Sequence, residues 1–282
     1  MAGRRQKHFR SGDLNEELGV FLVKGVAAVA TVPRPEDVGV DAVATLLRDA
    51  DNNLLIAENS FYVQFKSSSV RKIKYVDHEV RWLESLKLPF FIGSVRKGDA
   101  AIDLYATHKL SQAVLEMNYK EVHLLLDRQD KNEARKDVKY VNIGPPLLQW
   151  SAPDLADPKF APRAYSVLKP YLDAEQRNID YRGIRYIETI RWETGKPPNC
   201  EQAHMIFQSM ESEEEIQRIL RSMAPYIYAI AVRAMATQDR DAMQLVLSLV
   251  NYMRTNNFDP DPHQIYWTVV KSWEQNTANS ST

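Results

Sequence analysis

One cysteine, Cys200, is all that the 282-residue chain contains. A lone thiol excludes an internal disulfide framework and a cysteine zinc cluster, and it suits a reducing, cytoplasmic setting. Charge of one sign is also lacking. There are 36 Lys and Arg against 37 Asp and Glu, a formal net charge of -1. No global basic field advertises nucleic acid, so any anion-binding surface has to be local. No stretch reaches the roughly 18 to 20 apolar residues of a membrane span, and no membrane association is expected. The longest apolar segment, APYIYAIAVRAMA (224–236), is broken by Arg233 and reads as a buried helix. The first residues, MAGRRQKHFRSGD, are basic but carry no apolar core, so no secretory signal is expected. GxGxxG, P-loop, HExxH, CxxC and GxSxG patterns are absent, as are internal repeats. These absences leave no familiar nucleotide, zinc or serine-hydrolase signature.

What is present is ordinary in bulk. Hydrophobic residues are 44% and charged residues 26%, typical of a globular protein long enough to bury a sizeable core. Residues 1–12 are polar and basic. Asp13 can cap a helix running to about Ala30, with Leu14, Leu18, Phe21, Leu22, Val26 and Val29 at helical spacing. Pro33 and Pro35 end it. The period then changes. Strands are expected over 39–49 and 60–69 with ADNN as their turn, a short helix over 77–86, and strands over 88–95 and 100–107 joined by RKGD. Residues 108–118 read as helical, and 121–127 and 137–144 as further strands. Beyond Ala152 the chain reads as mostly helical, with helices near 159–175, 200–210, 213–236 and 239–254 and an isolated strand within 181–192. The expected organisation is a basic N-terminus over 1–12, an α/β domain over 13–150, a helical region over 151–275 and a tail over 276–282.

Within the apolar strands, a few polar residues interrupt the pattern. FYVQFKSSS (61–69) puts Tyr62, Gln64 and Lys66 on one side of a strand and Val63 and Phe65 on the other. Lysine is rarely buried without a partner, so this face is either plain solvent or meets something negative. Asp41 interrupts the preceding strand, and Glu16 and Glu17 sit early in the first helix. If the two strands form a hairpin, Asp41 lies beside Gln64 and Lys66, within reach of a helix Glu. Carboxylate and amide oxygens suit Mg²⁺. A bound metal lowers the pKa of water that can attack a phosphodiester, and an ammonium can stabilise the charge that develops.

The stretch GVDAVATLL … FYVQFKSS, with the preceding NEELG helix, resembles the PD-(D/E)XK nuclease superfamily. It is most similar to the branch whose motif reads Asp … Gln-X-Lys, as in Mrr-like restriction enzymes, and to a bacterial domain family of uncharacterised function within that superfamily. The resemblance covers about residues 13–110. It implies a restriction-endonuclease-like mixed sheet flanked by helices, and a Mg²⁺- or Mn²⁺-dependent deoxyribonuclease, with bacterial defence or restriction as the natural setting. Asp41 becomes the metal-binding acid, Gln64 stands in the place of the second acid, Lys66 becomes the catalytic lysine, and Glu17, or else Glu16, the helix acid. The Phe65 carbonyl could serve as a further metal ligand. Because Gln64 carries no charge, the site has one anion fewer than a (D/E)XK site and should favour one ion over two.

Blander readings stand beside these. Asp41 could be a satisfied polar residue at a sheet edge, Gln64 and Lys66 a solvated strand face, and Glu16 and Glu17 acids that complement a helix dipole. Ser67, Ser68, Arg71, Lys72 and Lys74 could contact phosphates or form an ordinary charged surface. His78 and His108 read as surface or packing residues rather than ligands. The apolar C-terminal helices read as core packing that could also hold a second copy or a protein partner. The functional alternatives are thus a DNA endonuclease and a nuclease-fold module that binds nucleic acid or protein without cleaving.

Overall fold

The computed structural model describes residues 7–33, 39–50, 54–110, 119–126, 138–182, 186–205 and 213–258. They form two compact units, divided between Ile206 and Phe207. The fold of the first is α/β, as expected, and the second is helical.

The chain opens with helix α1 (Lys7–Val23). The expected continuation of this helix to Ala30 is not found. Gly25, a poor helix former, sits in a turn where a Cβ would come 2.3 Å from the Leu155 side chain. Residues Ala27–Thr31 then form strand β1, paired antiparallel with β2 (Ala42–Ala50). Val26 and Val29 fit a helical stripe by spacing alone, which is why the strand was hidden. Next come β3 (Leu54–Ser67), β4 (Lys72–Val76), α2 (His78–Ser85), β5 (Phe90–Arg96) and β6 (Ala101–Ala106). Strands β7 (Glu121–Leu125), β8 (Val138–Asn142) and β9 (Leu148–Ser151) follow. The expected helix over 108–118 and the ADNN turn lie largely outside the described residues.

One mixed sheet has the order β1-β2-β3-β5-β6-β9. Strands β3 and β5 are parallel and the other neighbours antiparallel. Parallel neighbours need a crossover, and β4 with α2 supplies it. A smaller sheet, β4-β7-β8, lies with α2 over one face.

Strand alternation assigns the two cores. Phe61, Val63 and Phe65 of β3 pack with Leu22 and Val23 of α1 and with Val167, Leu168, Tyr171 and Leu172 of α3 (Phe160–Asp180). Tyr62 packs on the other side, with Ile73, Tyr75, Val80 and Leu83. Because α3 buries its apolar stripe in the same core as the sheet, the first unit runs past residue 150, where the sequence suggested a boundary.

After α3, the expected isolated strand is β10 (Tyr186–Arg191), and it is not isolated. It pairs antiparallel with β11 (Asn199–Met205), in place of the helix expected near 200–210. A lone strand leaves its backbone groups unpaired, and β11 supplies their partners. The second unit contains α4 (Glu213–Thr237) and α5 (Arg240–Thr255), as expected. The Asp239 side chain caps α5 by accepting from Ala242 N–H at 3.0 Å. Leu220, Ile227 and Ala231 meet Val246, Val250 and Met253 in a small core. No helix among the described residues is long and apolar enough to cross a membrane.

Candidate functional site

Gly39, with φ +97°, turns the chain into β2 under the Trp82 ring. Asp41 follows at the point where β2 begins. Its N–H donates to the Val63 carbonyl at 3.0 Å, and its carbonyl accepts from Val32 N–H at 2.9 Å. The side chain has a local task. The β2–β3 pairing starts at Ala42↔Val63, so beyond Val63 there is no strand residue to receive the next inward β3 donor. Asp41 Oδ2 accepts that donor, the Phe65 N–H, at 2.5 Å. A buried backbone donor is rarely left unpaired, and here a carboxylate replaces the missing strand.

One step past the Ala42↔Val63 pair, Asp41 falls beside Gln64, near enough to Tyr75 on the Gln64 side for its charge to act on the phenol. Gln64 is buried, and its Oε1 accepts from the Tyr75 hydroxyl at 3.0 Å. Burial pushes the Tyr75 phenol far above its ordinary value, and the Glu79 and Asp41 carboxylates push the same way. Tyr75 therefore remains a neutral donor to Gln64. Lys66 is half-buried and has no hydrogen-bond or ion-pair partner among the described residues.

Asp41, Gln64 and Lys66 thus come together. The Phe65 ring points to the opposite face, seated between Gly19 of α1 and Gly93 of β5. Glu17 is exposed, on the stripe of α1 that carries Leu14 and Phe21. Glu16 shares its stripe with Gly19, Val20 and Val23, which face the sheet. Lys72 and Lys74 are exposed on the outer face of the small sheet, away from Gln64, and Lys74 pairs with Glu121 at 2.9 Å. Ser67 falls on the Phe65 side of β3 and bonds to Ser69, while Ser68 and Arg71 line a pocket on the Lys66 side. His78 is exposed. His108 is fully buried, with Nδ1 2.8 Å from Glu175 and Nε2 accepting from Ile190 N–H at 3.1 Å. That network ties β10 to α3 and has a structural purpose.

The donor set can be tested against a metal. Among the described residues, no group of three or more His, Cys, Asp or Glu converges to hold an ion. Asp41 and Gln64 each already accept a hydrogen bond, from Phe65 N–H and from the Tyr75 hydroxyl. One carboxylate, one amide oxygen and the Phe65 carbonyl fit a single, largely hydrated Mg²⁺ or Mn²⁺. They do not fit a pair of ions.

A polar row missed in the sequence extends the site. The register aligns Lys66 with Ser94, Ser94 with Asp103, and Asp103 with Gln149 across four strands. Arg96 pairs with Asp103, which also accepts from Gln149 Nε2 at 2.9 Å. The signal was available: Asp103 interrupts AIDLYA as Gln64 interrupts FYVQF. No family model matches this chain, and neither a curated protein nor a solved structure does.

Proposed function

We propose that the protein is a metal-dependent endonuclease that hydrolyses DNA phosphodiester bonds beside Asp41, Gln64 and Lys66. The observation that carries the reading is Lys66: a half-buried ammonium without a side-chain partner among the described residues, near a carboxylate fixed by the backbone. Such a cation is a ready partner for a phosphate oxygen, and it stabilises charge that grows there during attack. Asp41, Gln64 and the Phe65 carbonyl would hold Mg²⁺ or Mn²⁺, which supplies Lewis acidity at the phosphodiester. The helix acid of the resemblance, Glu17 or else Glu16, lies on α1, which packs on the Phe65 face of the sheet, opposite Gln64 and Lys66. The setting would be cytoplasmic, in bacterial defence or restriction. Exposed Tyr226, Ile230, Leu245 and Tyr252 on α4 and α5 offer a surface for a second copy or a protein partner.

One observation favours a second reading, a module that binds nucleic acid without cutting it. The Asp41 and Gln64 oxygens already have structural partners. Plasmid nicking by the purified chain in Mg²⁺, Mn²⁺ or EDTA, beside Lys66→Ala, separates the two. The expected outcome is metal-dependent nicking lost in the variant. DNA binding without nicking under any metal would sink the endonuclease reading and leave the module.

A further inference from the structure

On the face of the large sheet that carries Gln64 and Lys66, a pocket of about 220 Å³ opens one strand away from Lys66. Ser68, Arg71, Ser94, Arg96 and Asp103 give it polar walls, and Val70 and Tyr105 apolar ones. Asp103 is 8% exposed. Its Oδ1 accepts from both Arg96 and Gln149, while its Oδ2 has no partner among the described residues. Ser94 is 5% exposed and also has no hydrogen-bond partner among them. Neither atom is sealed from water, so both stand as open polar groups of the pocket. A donor arriving from outside would complete both.

The charge balance selects the ligand. Arg96 is already paired with Asp103 and lies 3.5 Å from Asp99. Beside Asp103 the open oxygen would repel a phosphate, which suits the exposed Arg71 of the same pocket instead. That oxygen would accept from a neutral group bearing N–H donors, and the Tyr105 ring and Val70 suit a flat apolar face. A nucleobase has both properties, with donors on its edge and a stacking surface. The parallel register sets Ser94 next to Lys66, about 4.8 Å away between strands. A phosphate at Lys66 and a base at Ser94 can therefore belong to one strand.

We propose that this pocket holds an unstacked nucleobase of the DNA strand whose phosphate meets Lys66, with Asp103 Oδ2 and the Ser94 hydroxyl reading its edge. The inference rests on the nucleic-acid reading of the site. It is tested without cleavage, by binding the full chain in EDTA to single-stranded oligodeoxynucleotides, each carrying one abasic position. The expected result is an affinity loss of about tenfold confined to one or two adjacent positions. In Asp103→Asn that position-dependent loss shrinks. Uniform affinity across all abasic positions, or an unchanged profile in Asp103→Asn, overturns the base pocket while leaving the nucleic-acid reading standing. Absence of binding to every oligonucleotide overturns both.

Discussion

At Asp41, structure and chemistry make separable demands on one side chain. The Phe65 N–H needs an acceptor, which an amide oxygen supplies as well as a carboxylate. A metal or a developing charge needs the anion. Asp41→Asn should therefore unfold in denaturant close to wild type. Asp41→Ala, which orphans the donor, should lose about 1–3 kcal/mol. Both should abolish nicking. Wild-type cleavage by Asp41→Asn would make the carboxylate purely structural. Period-two alternation in FYVQFKSSS was enough to put Gln64 and Lys66 on one face, and Asp41 stood out as the acid that interrupts GVDAVATLL. The alternation could not reveal Tyr75 as the partner of Gln64, because that contact depends on how a second sheet lies over the first. Nor could it show that α1, with Glu16 and Glu17, packs on the Phe65 face of the sheet, which depends on tertiary packing.

Between elements, the site depends on a seat made for one ring. The Phe65 side chain occupies space that a Cβ at Gly19 or Gly93 would enter, at 2.4 and 2.8 Å from the ring. Gly93 is also the register partner of Phe65. Those two close approaches fix β3 against α1 and β5, and so fix Gln64 and Lys66, which flank Phe65. Gly93→Ala should cost about 1–3 kcal/mol by overpacking. It should also reduce nicking although no polar group is changed, and thermal melts beside cleavage assays at a temperature where the variant is folded would measure both. Unchanged activity in a destabilised variant would separate the seat from the site. At this scale the central strands were legible, because β3, β5 and β6 are bounded by turn residues and rich in aromatic and β-branched side chains. The strands misread, β1 and β11, lack that bias: AAVAT and NCEQAHM take their conformation from the strand beside them. Likewise, no local signal in α3 announces that its apolar stripe belongs to the sheet's core.

Across the molecule, two buried phenols connect the cores to alkaline pH. Tyr75 sits in the core between the two sheets and Tyr171 in the core beneath α3. Burial pushes both phenols above their ordinary value. Glu79 and Asp41 add to the effect at Tyr75, and Glu175 adds at Tyr171. A raised pKa in the folded state means that folding favours the protonated phenol, so this contribution is fully present below the unfolded value of about 10. Above that pH the unfolded chain releases protons that the folded chain retains. Stability should then fall by about 1.4 kcal/mol per pH unit for each phenol. Denaturant midpoints taken from pH 8 to pH 11 should stay level and then drop, and Tyr75→Phe should reduce the alkaline slope by about one proton. In the same titration, Tyr75 and Tyr171 should appear as tyrosinate only on unfolding. If they ionise in the native protein near pH 10, both cores are wetter than this packing allows, and the fixed Tyr75–Gln64 bond that shapes the candidate site is lost with them.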